Sequence, residues 1–262
     1  IKKIRRAIPL TARFKADGYS KLFCLGKGLQ LDGEGNSILN VDLGYMDSKI
    51  DPTDNFENYK RVTGALRYTL RGDRKEKIKW QWNSAFDYSG SFDDSKSDPD
   101  INYGRVDEYK SSYSRLALTN GFNVKMPKSW FKELDVNTLV SLQLDRLRQT
   151  RLVAPQRYGI VPLSWSDGEN EAQAVYAEYT AHYLCDGKPF NAYVKVKGVM
   201  GFKTPYTLHT IKVGANWDLA KNFGRGQVYD MHHPLSVSGW SSRPRKYSDI
   251  PSLQNFSLFA EE

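Results

Sequence analysis

The sequence has no long hydrophobic run. Its 262 residues contain no stretch of about 18 consecutive apolar residues, which excludes a membrane-spanning helix. The basic opening, IKKIRRAIPLTARFK, lacks the apolar core of a signal peptide, so we interpret it as a mature or internal segment. The mean hydropathy of −0.60 alone favours a soluble protein. A membrane β-strand needs only about ten alternating residues, however, so low hydropathy does not exclude a membrane location.

Residues for catalysis and metal binding are also few. Cys24 and Cys185 form no CxxC pair; they could join in an oxidising compartment, but two thiols without a special role are favoured. The histidines show no metal-site spacing such as HExxH, and His232-His233 is typical of a loop turn. No GxSxG motif or phosphate-binding glycine loop occurs. We therefore predict no enzymatic activity, no cofactor and no metal site. The four histidines are His182, His209, His232 and His233.

The charge distribution does not point to one class of function. The net charge is +8, but 38 basic residues are scattered among 30 acidic ones, so we predict no nucleic-acid partner. One acidic cluster lacks EF-hand spacing and is interpreted as a solvated loop rather than a Ca²⁺ site. A basic cluster near the end either contacts lipopolysaccharide phosphates or another anion, or forms a solvated loop rim. The acidic cluster is Asp93, Asp94, Asp98 and Asp100, and the basic cluster is Lys221, Arg225, Arg243, Arg245 and Lys246.

What the sequence does have is alternation of apolar and polar residues, with 16 Tyr and 6 Trp. A period of two predicts β-strands with two unlike faces. Two opening strands, around 8–15 and 21–31, and a last strand from Leu253 bring the expected number to nine or ten. The clearest apolar faces are Leu39–Tyr45, Val62–Leu70, Ile78–Tyr88, Leu116–Val124, Leu134–Leu144, Ala192–Phe202 and Ile211–Trp217.

The connections between these strands alternate in length. Short ones are predicted near Gly72–Lys75, Met126–Glu133 and Lys203–Tyr206. Longer ones are predicted near 47–58, 89–108, 146–190 and 220–252. All long connections would then meet at one end of the sheet. Short periplasmic turns and long external loops are typical of outer-membrane barrels.

Aromatic placement separates two architectures that share the alternation. A soluble sandwich also has one apolar and one polar face. Here, Tyr45, Tyr88 and Trp217 fall near the long-loop ends of apolar faces, while Tyr68, Trp80 and Phe122 fall towards the short turns. Such pairs of girdles are typical of membrane barrels, with packed core aromatics as the alternative.

We therefore predict an all-β, antiparallel transmembrane β-barrel. The last strand lacks a closing terminal aromatic and looks unfinished, so residues 1–262 are expected to form a partial barrel of nine or ten strands. The polar face would line a lumen; in a soluble sheet it would be an ordinary solvated face. The candidate lumen-facing residues are Arg61, Arg67, Lys79, Asp87, Asp135 and Asp145.

Two stretches resemble large TonB-dependent outer-membrane receptors. They are LNVDLGYMDSKIDPTDNFENYKRVTGALRYTLRG from Leu39 to Gly72, and VGANWDLAKNFGRGQVYDMHHPL from Val213 to Leu235, which continues as WSSRPRKYSDIPSLQNFSLFAEE from Trp240. The resemblance implies a parent barrel of about 22 strands around an N-terminal plug. Neither the plug nor a TonB-contacting segment is recognisable in this chain.

The function that this resemblance implies is import across the bacterial outer membrane, coupled to TonB through parts absent from this chain. Expected partners are the plug, the remaining barrel strands, outer-membrane lipid or lipopolysaccharide, and a surface lipoprotein. Substrate and substrate-binding residues stay unknown. The alternatives are a passive porin or small closed barrel, and a soluble carbohydrate-binding β-sandwich.

Overall fold

The computed structural model describes residues 10–49, 57–74, 78–96, 107–154, 159–162, 172–175, 177–230, 232–235 and 245–262. Within these ranges the regular structure is β-strand, except for one short 3-10 helix at Tyr247–Asp249. The strands are β1 Leu10–Ala16, β2 Ser20–Gln30, β3 Ser37–Lys49, β4 Glu57–Arg74, β5 Ile78–Lys96, β6 Asp107–Lys125, β7 Phe131–Val153, β8 Gly159–Pro162, β9 Ala172–Val175, β10 Tyr179–Gly187, β11 Pro189–Lys203, β12 Leu208–Asn222, β13 Gly226–Tyr229 and β14 Leu253–Glu261.

Twelve of these strands form one antiparallel sheet, while β8 and β9 make a separate hairpin. The main path runs β1-β2-β3-β4-β5-β6-β7-β11-β12-β14. β10 and β11 pair with β7 in one register from Tyr179 to Val199, with a break at Lys188 between the two strands. The Lys188 N–H donates to Asn222 Oδ1 (2.9 Å), and the register shifts between Val199 and Met200. β13 extends β12 in the same way, alongside β10. The described sheet therefore has ten strand positions, which confirms the expected antiparallel, all-β architecture.

The connections sort by length between the two ends of the sheet. The strand ends joined by residues 31–36, 75–77, 126–130 and 204–207 lie at one end of the sheet, which we call the short-connection end. The strand ends joined by residues 50–56, 97–106, 154–178 and 230–252 lie at the opposite, long-connection end, together with the tight 17–19 turn. The predicted alternation is confirmed, with that turn as an exception.

The strands extend further than their apolar faces. Predicted loop residues 89–96, 107–108, 146–153 and 179–190 are largely strand. Asp93 and Asp94, predicted to lie in an acidic loop, belong to β5 and point to opposite faces. The prediction was wrong because it required one apolar face, whereas inter-strand hydrogen bonds also hold strands whose faces are both polar.

Register places the predicted apolar residues on one face. Directly opposed residues share a face, and the row Leu66, Phe86, Leu118, Val140 and Ala192 crosses five neighbouring strands. Many of these side chains are exposed: Leu66 46%, Phe86 42% and Val140 44%. We call this side the apolar face and the opposite side the polar face.

A packed core is nearly absent from the described part of the chain. The buried apolar residues there are Ala117, Val153 and Ala181, with Pro234 fully buried in a connection. The sheet is a single layer, since the large apolar side chains lie on a face that no second layer covers. Soluble monomers rarely expose a contiguous apolar face that crosses so many strands.

The two edge strands are exposed on both sides. Every residue of β1 and of β14 is exposed, and neither strand pairs with the other in the described sheet. Phe256 and Leu258 of β14 are 68% and 72% exposed. The structure thus shows an open sheet with two long edges that can accept further strands.

Candidate functional site: the polar face

The structure brings the predicted lumen-facing residues to one side. Register along β4, β5 and β7 places all six on the polar face, on alternate positions from the apolar residues. The placement is confirmed; their role stays a prediction. The six are Arg61, Arg67, Lys79, Asp87, Asp135 and Asp145.

Arg67 on β4 is the charged centre of this face. Its guanidinium lies 3.6 Å from Asp42 Oδ2 on β3 and 3.8 Å from Asp87 Oδ1 on β5. The three side chains are 58%, 52% and 44% exposed, so each ion pair contributes only about 0–1 kcal/mol to stability. The cluster therefore presents charge to solvent or to another polar surface, rather than holding the sheet together.

The charged centre lines a concavity of about 960 Å³ that reaches from Thr11 on β1 to Leu139 on β7. Glycines shape its floor. A Cβ at Gly26 would lie 2.9 Å from Asp42 Oδ1, and one at Gly44 would lie 2.5 Å from Thr63 Oγ1. The lining mixes charged groups with small and apolar residues, and the concavity is wide open, unlike the pockets that enclose small ligands. It suits a broad polar partner.

Carboxylates on β7 are held by neighbouring amides on the same face. Asn137 Nδ2 donates to Asp135 Oδ1 (2.7 Å), and Gln143 Nε2 donates to Asp145 Oδ2 (2.6 Å). Asp145 Oδ1 is buried and has no hydrogen-bond partner among the described residues. A buried acceptor left unpaired costs about 1–3 kcal/mol, so this oxygen is a place where a further donor would stabilise the structure.

Tyrosines gather on the polar face at the long-connection end. Tyr109, Gln149, Tyr183 and Tyr229 lie directly opposite one another on β6, β7, β10 and β13. The Tyr183 and Tyr229 ring centroids are 6.2 Å apart. Tyr113 points to the same side from β6, and Tyr247 reaches it from the last long connection. We define the tyrosine cluster as Tyr109, Tyr113, Tyr183, Tyr229 and Tyr247.

Two phenols of this cluster, those of Tyr183 and Tyr247, have raised pKa values. Burial, followed by the neighbouring Cys185 and Tyr247, raises the pKa of Tyr183 to about 12. The hydrogen bond with Cys185, whose Sγ is 3.4 Å from the Tyr247 hydroxyl, and burial raise the pKa of Tyr247. Both groups therefore stay protonated at neutral pH and can donate as well as accept hydrogen bonds.

Residues 245–250, which we call the folded-back segment, lie along the edge of β13. Gln227 N–H donates to Arg245 O (2.8 Å), Ser248 N–H to Gly224 O (3.1 Å), and Lys221 Nζ to Ser248 O (2.7 Å). Gly226 has φ +81°, and a Cβ there would collide with the Arg245 carbonyl oxygen. Glycine is thus required for the segment to approach and to hold Tyr247 over the sheet.

The predicted basic cluster does not form a single site. Lys221 binds the folded-back segment, and Arg225 Nε lies 3.0 Å from Oδ2 of the buried Asp186. Arg245 and Lys246 are exposed, while Arg243 lies outside the described residues, as do Asp98 and Asp100 of the acidic cluster. Two of the five predicted anion-binding residues, Lys221 and Arg225, therefore have a structural role.

The cysteines and the adjacent histidines singled out in the sequence all lie within the described residues. Cys24 and Cys185 are free thiols. His233 Nδ1 lies 2.6 Å from Asp230 Oδ2, and His232 N–H donates to Asp230 Oδ1, as in a loop turn. The described ranges contain no group of three or more His, Cys, Asp or Glu that could hold a metal ion. They also contain no helix long and apolar enough to cross a membrane.

Comparison with known proteins identifies no relative: no protein-family model, no curated protein and no solved structure matches this chain. Functional inference therefore depends on the two faces of the sheet.

Sequence reasoning missed the tyrosine cluster. Tyr183 and Tyr229 fall in segments predicted as long loops, and Tyr109 lies between the predicted 89–108 connection and the apolar face that starts at Leu116. Their alignment depends on the register of four strands. The available signal was the spacing of Tyr109, Ser111 and Tyr113, whose period of two marks a strand without an apolar face.

Proposed function

We propose that this chain forms part of the wall of a bacterial outer-membrane β-barrel, in an importer energised through TonB. The observation that carries the proposal is the uncovered apolar face of a single-layer antiparallel sheet. Bilayer hydrocarbon is the solvent in which such a face is stable, because it removes apolar side chains from water without a second protein layer.

The dimensions of the apolar face agree with a bilayer. On β7, alternate residues from Leu134 to Leu144 face this side. Their ten steps of about 3.3 Å give about 33 Å along the strand, or about 23 Å at a tilt of roughly 45°. This is close to the ~25 Å apolar band of outer-membrane barrels.

Aromatic and charged residues border the apolar face. Near the short connections, Tyr68 and Trp82 form an edge-to-face pair at 5.7 Å, and Trp130 stacks on Phe202 at 6.1 Å. At the other border, exposed basic side chains follow directly on the same face. These are Lys60, Lys110, Arg146 and Arg148. A belt of this kind can contact lipopolysaccharide phosphates.

The open edges support a barrel larger than this sheet. Unpaired edge amides cost several kcal/mol each in hydrocarbon, so β1 and β14 need partner strands. We propose that further strands complete the barrel and that the polar face, centred on Arg67, hydrogen-bonds a plug. A surface lipoprotein at the long-connection end is a further proposed partner.

Localisation and coupling test this function together. The complete reading frame, expressed in its host, is expected in the outer-membrane fraction and in cross-links to TonB in living cells. Recovery in the aqueous fraction without detergent would contradict a membrane wall. Steady ion conductance of the purified protein in planar bilayers, with no TonB cross-link, would identify a passive porin instead.

A further inference from the structure

We propose that the tyrosine cluster binds a neutral oligosaccharide, with its rings stacked on sugar faces and its polar neighbours bonding the hydroxyls. The inference rests on the proposed transport function, whose substrate class it names. The carrying observation is the row Tyr109, Gln149, Tyr183 and Tyr229 on the polar face.

The row places three aromatic rings and one amide side by side across four strands. Neighbouring strands lie about 4.8 Å apart, so Tyr109 and Tyr183, which flank Gln149, stand roughly 10 Å apart at the backbone. Tyr229 follows at the next strand, with its ring centroid 6.2 Å from that of Tyr183. Several rings in line, separated by an amide, offer an extended surface rather than a closed pocket.

The electrostatics of the row disfavour an anionic ligand. Its strand residues carry no cation, and the phenols of Tyr183 and Tyr247 stay neutral. Arg151, on the next row, is paired with Asp107 (3.8 Å). Arg245 is the cation beside Tyr247. Phosphate and carboxylate groups are recognised by clustered Arg or Lys side chains. The row itself carries none, and its two neighbouring arginines belong to an ion pair (Arg151) and to the folded-back segment (Arg245).

Sugars have the complementary chemistry. A pyranose has C–H faces that pack against the electron-rich face of an aromatic ring, and hydroxyls around its rim. Gln149 and Gln227 offer both donor and acceptor groups. Asp145, which lies opposite Tyr113, adds the buried Oδ1 without a hydrogen-bond partner among the described residues. A sugar hydroxyl donating to that oxygen would satisfy it.

A peptide is the competing ligand. Extended peptides usually bind by adding a strand to a free sheet edge. Both edges of β7 are paired beneath the cluster, and β10 is paired on both sides, with β7 and β13. The outer side of β13 is bonded at Gln227 by Arg245 O. Beneath Tyr109 and Tyr183 the sheet therefore offers side chains but no free backbone edge, which favours the saccharide.

Calorimetry on the complete protein in detergent tests the site, with short gluco-, manno-, galacto- and xylo-oligosaccharides as probes. At least one series is expected to bind the unmodified protein. Tyr109→Ala and Tyr183→Ala should each weaken that binding on the order of tenfold. Tyr183→Phe keeps the ring and should retain most of the affinity. Tyr45→Ala, a tyrosine of the apolar face, is the matched control and should change nothing.

Three results would overturn the inference: no oligosaccharide binds the folded protein, Tyr45→Ala weakens binding as much as Tyr109→Ala, or a tryptic peptide mixture binds in place of sugars. Tyr109 is 36% exposed, so its variant tests the site if Tyr183→Ala fails to fold. Because the assay needs no TonB, sugar binding without cellular uptake would contradict the importer alone.

Discussion

Leu118 lies at the middle of the apolar face, so a charged residue at this position distinguishes a lipid environment from an aqueous one. In a bilayer, Leu118→Arg is expected to destabilise the folded protein by about 2–4 kcal/mol, because the charge would sit near the midplane. Thr119 is the next residue on β6 and points to the polar face. Thr119→Arg should therefore cost less than about 1 kcal/mol.

Denaturant-driven unfolding from lipid vesicles would measure both variants. Equal free energies of unfolding for the two variants would contradict opposite environments for the two faces. A soluble sandwich would be distinguished by its solubility. It would stay in aqueous solution without detergent, and Leu118→Arg would be measured there.

Asp17 fixes the tight turn between β1 and β2. Its Oδ1 accepts the Tyr19 and Ser20 amides (2.9 and 2.6 Å), and Oδ2 lies 3.1 Å from Lys15 Nζ. The hydrogen bond with Lys15, and then those with Ser20 and Tyr19, lower the pKa of Asp17 to about 2.

Because the pKa of Asp17 is lowered in the folded turn, its ionised carboxylate stabilises the turn fully at pH values above the ordinary pKa of 3.8. This stabilisation is lost as the pH falls through about 2. Carboxyl titration by NMR should find Asp17 still ionised at pH 3, and Lys15→Met should move its midpoint upwards. An unmoved midpoint in Lys15→Met would show that Lys15 is not the main cause.

At the scale of elements, the folded-back segment depends on one glycine. Gly226→Ala is expected to detach residues 245–250 for two reasons. The new Cβ would collide with the Arg245 carbonyl oxygen, and alanine would have to adopt the positive φ of this position. Gly35→Ala is the matched control, since Gly35 has the same φ of 81° but its Cβ would have ordinary contacts at 3.5 Å or more.

Hydrogen exchange at the Gln227 amide, which donates to Arg245 O, reports the detachment directly. Exchange should become faster in Gly226→Ala and stay unchanged in Gly35→Ala. Unchanged protection in both variants would show that the segment is held by other contacts, such as those of Lys221 with Ser248 O.

Strands with one apolar face could be predicted from the sequence, and those with two polar faces could not. β3 and β4 were predicted because alternation of leucine, valine and tyrosine with polar residues leaves few other structures. The ends of β5 and β7, and all of β10, lie beyond the apolar face and carry polar residues on both sides, such as Asp93 and Asp94 on β5 or Arg148 and Gln149 on β7. Their pairing comes from neighbouring strands, which a local pattern does not contain.

The candidate site was likewise predictable only in part from the sequence. Arg67 and Asp87 could be assigned to the polar face because each alternates with apolar neighbours on its own strand. Their contact with one another, and with Asp42, required the register of β3, β4 and β5. The tyrosine row required four registers and a segment folded back from a distant connection, so sequence alone could not assemble it.

At the scale of the whole molecule, the open edges decide how the chain behaves by itself. Among the described strands, β1 and β14 each have one edge without a partner strand, and β14 adds exposed Phe256 and Leu258. A long, apolar, unpaired edge pairs with other strands wherever it finds them. The 262-residue chain, refolded alone in detergent, is therefore expected to form mixed oligomers.

The complete reading frame should behave differently, because further strands would pair both edges and close the barrel. It is expected to give a single monomeric species by light scattering, and to migrate as a compact, SDS-resistant band until heated. Lysines at Phe256 and Leu258 should reduce association of the isolated chain, since charge on an edge strand opposes pairing. A monomeric, SDS-resistant isolated chain would instead mean that β1 and β14 meet each other, and the barrel would be a small closed one of about ten strands.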